Sequence, residues 1–237
     1  MGAGDGVLTQ GLASSAGKVI AVEIDAELYR RLGDRLASRP NVVPVCGDIL
    51  SLSPEELVAR AQASPPYVVV ANLPYYIASA VVRHFLEAAQ SPQRMIVTVQ
   101  AEVAQGMAAL PGRMSLLSVS VQLYAQPKIL FYVPPRAFHP PPKVRSAVLH
   151  LQVRPQPALA VDDREAFFRL VRAGFAAPRK QLRNALALGL RTDTASALSL
   201  LAAAGIEPSR RAQTLSLEEW GHLYQVWRLD ASPSTQG

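Results

Sequence analysis

One cysteine among 237 residues, Cys46, excludes a disulfide framework and fits a reducing compartment. Its place at the end of a strand-like apolar run predicts an inert, buried thiol. No apolar run approaches the roughly 18 residues that a membrane span needs, and the N-terminus lacks the basic-then-apolar pattern of an export signal. A soluble, cytoplasmic protein is expected, monomeric by default. His84, His139, His150 and His222 are scattered without metal-ligand spacing, so no metal is expected. There is no P-loop lysine pattern and no internal repeat.

What is present is ample apolar material and unevenly placed charge. A hydrophobic content of 49% can fill one large domain, or a main domain with a smaller one. Net charge is +6, yet the stretch from Tyr124 to Arg191 holds 12 Lys/Arg against 3 Asp/Glu, and the rest of the chain is mildly acidic. One-sided basicity of this kind is the footprint expected for a phosphate backbone, which makes a nucleic acid the expected partner.

The most informative stretch is Val70-Ala71-Asn72-Leu73-Pro74-Tyr75-Tyr76. Val68 to Ala71 reads as a buried parallel strand, and the apolar run stops at an amide, a proline and two rings. In open α/β sheets ligands sit beyond the carboxyl ends of the strands. There Asn72 Oδ1 and a neighbouring carbonyl can accept the two N–H bonds of an amino group on a flat heterocycle, with Tyr75 on its face. Taken alone, an ordinary strand-to-helix turn with Pro74 at the first helical position explains the same residues.

Upstream, Gly2, Gly4 and Gly6 form a G-x-G-x-G turn ahead of a short helical stretch, with no strand feeding it. Lys18 to Ile24 reads as a strand with Glu23 at its end, 17 residues after Gly6; Asn41 to Cys46 is the next, closed by Gly47-Asp48. A carboxylate in the position of Glu23 commonly accepts from ribose hydroxyls. Asp48 follows Glu23 by 25 residues and Asn72 follows Asp48 by 24, so three polar residues close three successive βα units. Jointly they predict a nucleoside-shaped crevice, and the short glycine spacing points to S-adenosylmethionine rather than a dinucleotide.

Helices are expected over Ala26 to Ala37, with Asp25 as N-cap, and over 78–89, 101–109 and 114–124; strands over 95–99, 128–133 and 144–153. Five prolines between Pro134 and Pro142 predict a stiff extended loop holding Phe138 and Lys143; the ring either covers the core or stacks on a base, with the Lys143 cation near phosphate. After a linker at 156–160, helices are expected over 163–176, Arg179 to Leu188, 194–204 and 217–228, the last with a Ser216/Glu219 capping box, and a frayed tail from Asp230. The predicted architecture is α/β: a Rossmann-like sheet over 1–155, then a smaller all-α domain over 156–237.

G-A-G-D-G, V-E-I-D, G-D-I, N-L-P-Y-Y, A-F-H-P-P-P-K-V-R-S-A-V, P-R-K-Q-L-R-N and G-I-E-P-S-R-R-A together resemble the KsgA/Dim1 family of ribosomal RNA adenine dimethyltransferases over nearly the whole chain. The resemblance implies N6,N6-dimethylation of two adjacent adenosines in the 3′-terminal hairpin of 16S rRNA, from S-adenosylmethionine, within the 30S subunit or its precursor, and a role in ribosome biogenesis. It assigns Gly2, Gly4, Gly6, Glu23, Ile24, Asp48, Ile49 and Asn72 to the cofactor. Asn72, Leu73, Pro74, Tyr75 and Phe138 would hold the target base, and Lys143, Arg179, Lys180 and Arg183 would meet RNA.

Members of that family resemble one another in an N-terminal arm with a G-Q-N-F-L-like motif and in a strand ending in an acidic residue before the glycine loop. Both are absent here, and the strand would be the central one of the sheet. The expectation is therefore a fragment or a misassigned start, with an unstable or weakly active chain. Alternatives are a 23S rRNA adenine N6-dimethyltransferase of the macrolide-resistance type and a non-catalytic rRNA-binding assembly factor. A nicotinamide dehydrogenase would need the longer glycine spacing and has no use for Asn-Leu-Pro-Tyr.

Overall fold

β-branched runs alternating with amphipathic segments give a first unit of mixed α and β structure. A computed structural model describes residues 2–231. This unit comprises Met1–Ala104 and Ala125–Pro155; the second comprises Gln105–Tyr124 and Gln156–Gly237. The first contains α1 (Val7–Ala13), β1 (Val19–Glu23), α2 (Ala26–Leu36), β2 (Val42–Cys46), α3 (Pro54–Arg60), β3 (Val68–Asn72), α4 (Ala78–Leu86) and β4 (Arg94–Gln100). The chain changes units along α5 (Ala101–Met107) and returns for β5 (Ala125–Val133) and β6 (Ser146–Val153). Helix α3, unanticipated from the sequence, starts where Ser53 accepts from Glu56 N–H, with Pro54 and two glutamates in its first turn.

The strands form two sheets. β1 and β2 pair in parallel; the other four are ordered β3-β4-β6-β5, with β3 and β4 parallel and β6 antiparallel to both its neighbours. Met95, Val97 and Val99 pair with Leu151, Leu149 and Ala147, all fully buried, so one sheet face is the core. Among the described residues neither β1 nor β3 has a strand on its second edge, and a cavity of about 580 Å³ lies against both, lined by valines 19, 22, 68, 69 and 70 with Ile20. Two expectations change as a result. β3 is only half buried, with Val68 39% exposed, because a partner shields one edge alone. Cys46 is exposed, because it is the last residue of a strand paired on one side.

The second unit contains α6 (Leu116–Gln122), α7 (Arg164–Gly174), α8 (Leu182–Leu190), α9 (Thr194–Ala203) and α10 (Leu217–Ala231). Phe167, Leu170, Leu186, Trp220 and Leu223 are fully buried at its centre. Two glycines set its packing: a Cβ on Gly189 would lie 2.3 Å from Ala173 Cα, and one on Gly174 2.3 Å from the Trp220 ring. The unit also takes in Gln105–Tyr124, so its boundary is not the single break at 155/156 expected from the sequence. Gly112 and Met114 donate to the Gln213 carbonyl and Ala158 donates to that of Leu123, which binds the mid-chain segment to the C-terminal helices. Helix α8 begins at Leu182, later than expected, since Leu182 N–H is taken by the Arg210 carbonyl and Gln181 is extended. The expected frayed tail lies largely outside the described residues.

Asp163 and Asp193 cap α7 and α9, and Ser216 with Glu219 forms the expected capping box. Arg210 adds a guanidinium fork on Glu219, with Nη2 3.0 Å from Oε2. The Arg210 hydrogen bond, ahead of opposing desolvation, holds the Glu219 carboxyl below the usual carboxylate range. A depressed folded-state pKa contributes stability that is present above the unfolded value and lost as pH falls through the folded one. The melting temperature of Glu219→Gln should therefore fall less than that of the parent between about pH 6 and pH 3. Equal slopes would show that the pair adds nothing.

Candidate active site

The site starts with a buried carboxylate. Glu23, the last residue of β1, is 4% exposed, and its two oxygens accept from three backbone amides: Gly4 N–H at 2.9 Å, Ile24 N–H at 2.9 Å and Asp25 N–H at 3.1 Å. A carboxylate offers about four acceptor positions, so one remains. These bonds tie the glycine loop to the end of β1 and to the start of α2, where Asp25 caps the helix through Glu27 and Leu28 N–H. Ala3 N–H adds a bond to the Val22 carbonyl, and Gly47 N–H bonds the Glu23 carbonyl, drawing in the loop that carries Asp48.

Gly2, Gly4 and Gly6 all have positive φ, +59°, +51° and +77°, the left-handed region that disfavours side chains. Around Gly2 and Gly4 a Cβ would meet nothing closer than 4.0 Å, so that backbone is open to a ligand. At Gly6 a Cβ would fall 2.7 Å from Leu32 Cδ1, in the cluster of Ala21, Leu32 and Leu36. Ile24 is 64% exposed beside Glu23, and Asp48 is exposed. Ile49 is buried and lines the cavity between the strand edges, away from that open surface.

At the end of β3, Asn72 is exposed, and its side-chain amide has no hydrogen bond among the described residues. Leu73 is buried and donates its N–H to the Thr98 carbonyl on β4 at 3.1 Å. The Pro74 carbonyl accepts from Ile77 N–H, while that of Leu73 receives no described bond. Of the two backbone acceptors expected beside Asn72, Leu73 is thus the one left open. Tyr75 OH lies 2.6 Å from Ser146 Oγ, which fixes the ring against the first residue of β6.

β6 begins opposite the end of β4, Ser146 against Gln100, and β5 ends beside it, Val133 against Ser146. The proline loop between β5 and β6 therefore lies beyond the carboxyl end of β4, as does the Asn72 turn. Phe138 caps a short 3-10 turn there through its N–H to the Pro135 carbonyl, half-buried, and Lys143 is exposed. Arg179 and Lys180 are exposed on the turn before α8 rather than on the helix expected from the sequence; Arg183 is in its first turn. Ser146 was not singled out from the sequence. Strand alternation places it on the face opposite Ala147, Leu149 and Leu151, yet it is fully buried, and the Tyr75 contact gives it a role.

Among the described residues, no group of three or more His, Cys, Asp and Glu is arranged to hold a metal ion, and no helix is long and apolar enough to cross a membrane. A glycine loop joined to an acidic strand end, parallel βα units and an Asn-Leu-Pro-Tyr turn make up a Rossmann-like, S-adenosylmethionine-dependent methyltransferase. The sequence profile described as ribosomal RNA adenine dimethylase matches residues 1–225, and the chain belongs to that family.

The chain is 49% identical over 228 residues to ribosomal RNA small subunit methyltransferase A of Dehalococcoides mccartyi (strain ATCC BAA-2266 / KCTC 15142 / 195), covering 96% of this chain and 77% of that protein. It is 43% identical to the protein of the same name in Moorella thermoacetica, over 94% of this chain and 80% of the relative. Among solved structures it superposes on the 23S rRNA methyltransferase ErmE with a TM-score of 0.72, at 29% identity over 95% of this chain and 88% of the other. On a dimethyladenosine transferase from Plasmodium falciparum the TM-score is 0.79, at 21% identity over 96% and 88%.

Gly6→Ala should destabilise the protein more than Gly4→Ala. Both substitutions incur the left-handed penalty, about 1 kcal/mol, and the first adds overpacking of about 1–3 kcal/mol against Leu32. Denaturant midpoints give the comparison; equal midpoints would mean that Leu32 moves aside without cost.

Proposed function

We propose that this chain dimethylates N6 of two adjacent adenosines in the 3′-terminal hairpin of 16S rRNA, acting in the cytoplasm as a monomer on the 30S subunit or its precursor. The observation that carries the reading is the pair of open acceptors at the end of β3, Asn72 Oδ1 and the Leu73 carbonyl, beside a tyrosine fixed by Ser146. The names and identities of the relatives support the small-subunit substrate over the large-subunit one.

The residues present suit the cofactor. Open backbone at Gly2 and Gly4, the remaining acceptor position on Glu23, the exposed Ile24 side chain and Asp48 offer contacts for its amino-acid, ribose and adenine parts. Bound S-adenosylmethionine supplies a methyl on a sulfonium, already a strong electrophile. What limits transfer is the N6 lone pair, delocalised into the adenine ring. Asn72 and Leu73 accept the two N–H bonds, favour a more tetrahedral nitrogen and orient its lone pair, so positioning and local electrostatics carry the rate.

Asn72 is an orienting acceptor, since a neutral amide is a poor base; once methylated, N6 is cationic and loses its proton to water, and one N–H remains for these acceptors to hold during the second transfer. Tyr75 and Phe138 clamp the flipped base, and the turn at Pro74 keeps the acceptors in place; a base-modifying enzyme must offset the cost of unstacking its target. The first unit holds the cofactor and target base and offers Lys143 to phosphate, and the helical unit docks on RNA through Arg179, Lys180 and Arg183.

Labelled methyl transfer to unmethylated 30S particles tests the reading. The protein should yield N6,N6-dimethyladenosine in 16S rRNA, and Asn72→Ala should lower kcat by about 100-fold or more. Binding to 30S without transfer would leave an assembly factor instead, and transfer to 23S rRNA alone would make the enzyme of the other type. Arg179→Glu with Lys180→Glu should weaken RNA binding and flatten its salt dependence while S-adenosylmethionine affinity stays unchanged. Unaltered RNA affinity at low and high salt would place that turn away from RNA.

A further inference from the structure

The edge strand β5 carries a feature that the site above does not use. Its register with β6 slips between Ile129 and Phe131, and from Leu130 to Tyr132 three successive residues are exposed, at 45%, 57% and 44%. A bulge breaks alternation and re-aims side chains. Here it leaves the Tyr132 ring at the surface, where the Arg145 guanidinium lies 4.5 Å from its centroid. Arg145 directly precedes Ser146, whose hydroxyl meets Tyr75, and Tyr132 pairs with Ala147, so the ring–guanidinium pair lies at the same end of β6 as the proposed target-base pocket, on the other face of the strand.

The surrounding charge has one sign. From Tyr124 to Arg154 the chain has five Lys/Arg and no Asp or Glu, and Lys128, Arg136, Lys143 and Arg145 are all exposed. The nearest acid along the neighbouring backbone is Glu102, next to Ala101, whose N–H bonds the Arg145 carbonyl. It makes no ion pair among the described residues. A planar guanidinium over a phenol ring, on a stretch of chain that carries only cations, suits an unpaired nucleotide: a base has a π-face for stacking, and its phosphates meet the charges.

We infer that Tyr132 and Arg145 form a second stacking platform, which receives the unpaired nucleotide next to the target adenosine as that adenosine enters the Asn72 pocket. The inference rests on the RNA-methylating reading above. Its partner is a single-stranded RNA segment continuous with the substrate, and its effect is on substrate positioning and affinity rather than on the methyl-transfer step.

The test uses the full chain with 30S particles and with a hairpin RNA that carries 2-aminopurine beside the target adenosine. With wild-type protein, binding should quench the 2-aminopurine. Tyr132→Ala and Arg145→Ala should each abolish most of that quenching and raise KM for RNA by about tenfold, with kcat changed less than about twofold and S-adenosylmethionine affinity unaltered. Tyr132→Phe, which keeps the ring, should restore both signals; Arg145→Lys, which keeps charge but not the plane, should restore only part of the affinity. Wild-type quenching and KM in both alanine variants, with methyl transfer intact, would overturn the platform and leave the methyltransferase reading standing. A wild-type protein that does not bind rRNA would overturn both.

Discussion

The structure around the site depends on one buried carboxylate and on the backbone amides that satisfy it. Glu23 is 4% exposed, and an ionised carboxylate in such a place is tolerable only when its oxygens are hydrogen-bonded. Three backbone amides meet that requirement, and they come from the glycine loop, the strand end and the start of α2. The charge thus fixes three chain segments at once. The Gly4 amide, with the Ala3 bond to the Val22 carbonyl, holds the loop against the end of β1, and the Asp25 amide joins the start of α2 to the same carboxylate. Positive φ at three glycines is what allows the loop to bend tightly enough to bring the Gly4 N–H to that carboxylate.

The second half of the site is organised by pairing rather than by charge. β6 runs antiparallel beside β4, and this brings Ser146 to the same end of the sheet as the turn that follows β3. The Tyr75–Ser146 hydrogen bond then joins two segments 71 residues apart in sequence. Rigidity on both sides of the pocket has separate origins: proline density in the β5–β6 loop, and the Leu73 bond to β4 under Asn72. A pocket whose chemistry is orientation of a lone pair benefits from that rigidity, because a small displacement of an acceptor lowers the rate without changing any residue.

The sheet is in two parts, and this bears on stability more than on chemistry. β4 and β6 are flanked on both edges, whereas among the described residues β1 and β3 each leave one row of backbone groups without a strand partner beside a largely apolar cavity. Exposed strand edges and a cavity both weaken a fold. The helical unit has a different support: it is close-packed through Gly174 and Gly189, where a single added carbon has no room, and its last helix is capped by a capping box reinforced by Arg210.

Much of this was legible in the sequence, because local signals sufficed for it. Strand-ending acids, glycine spacing, the Asn-Leu-Pro-Tyr turn, N-caps at Asp25 and Ser216 and the proline loop are all written within a few residues of where they act. Helix and strand periods did the rest, since burying one face dictates the pattern. Tertiary structure alone decided which backbone carbonyl beside Asn72 stays open, that Cys46 lies at an exposed strand end, that Arg179 and Lys180 precede α8, and that Ser146 supports Tyr75. It also assigned Gln105–Tyr124 to the helical unit. Each of these turns on a partner distant in sequence: a neighbouring strand, the Arg210 carbonyl, or the hydroxyl of a serine that strand alternation places on the face opposite Ala147, Leu149 and Leu151. Periodicity says which face of an element is buried, and only the assembled chain says what it is buried against.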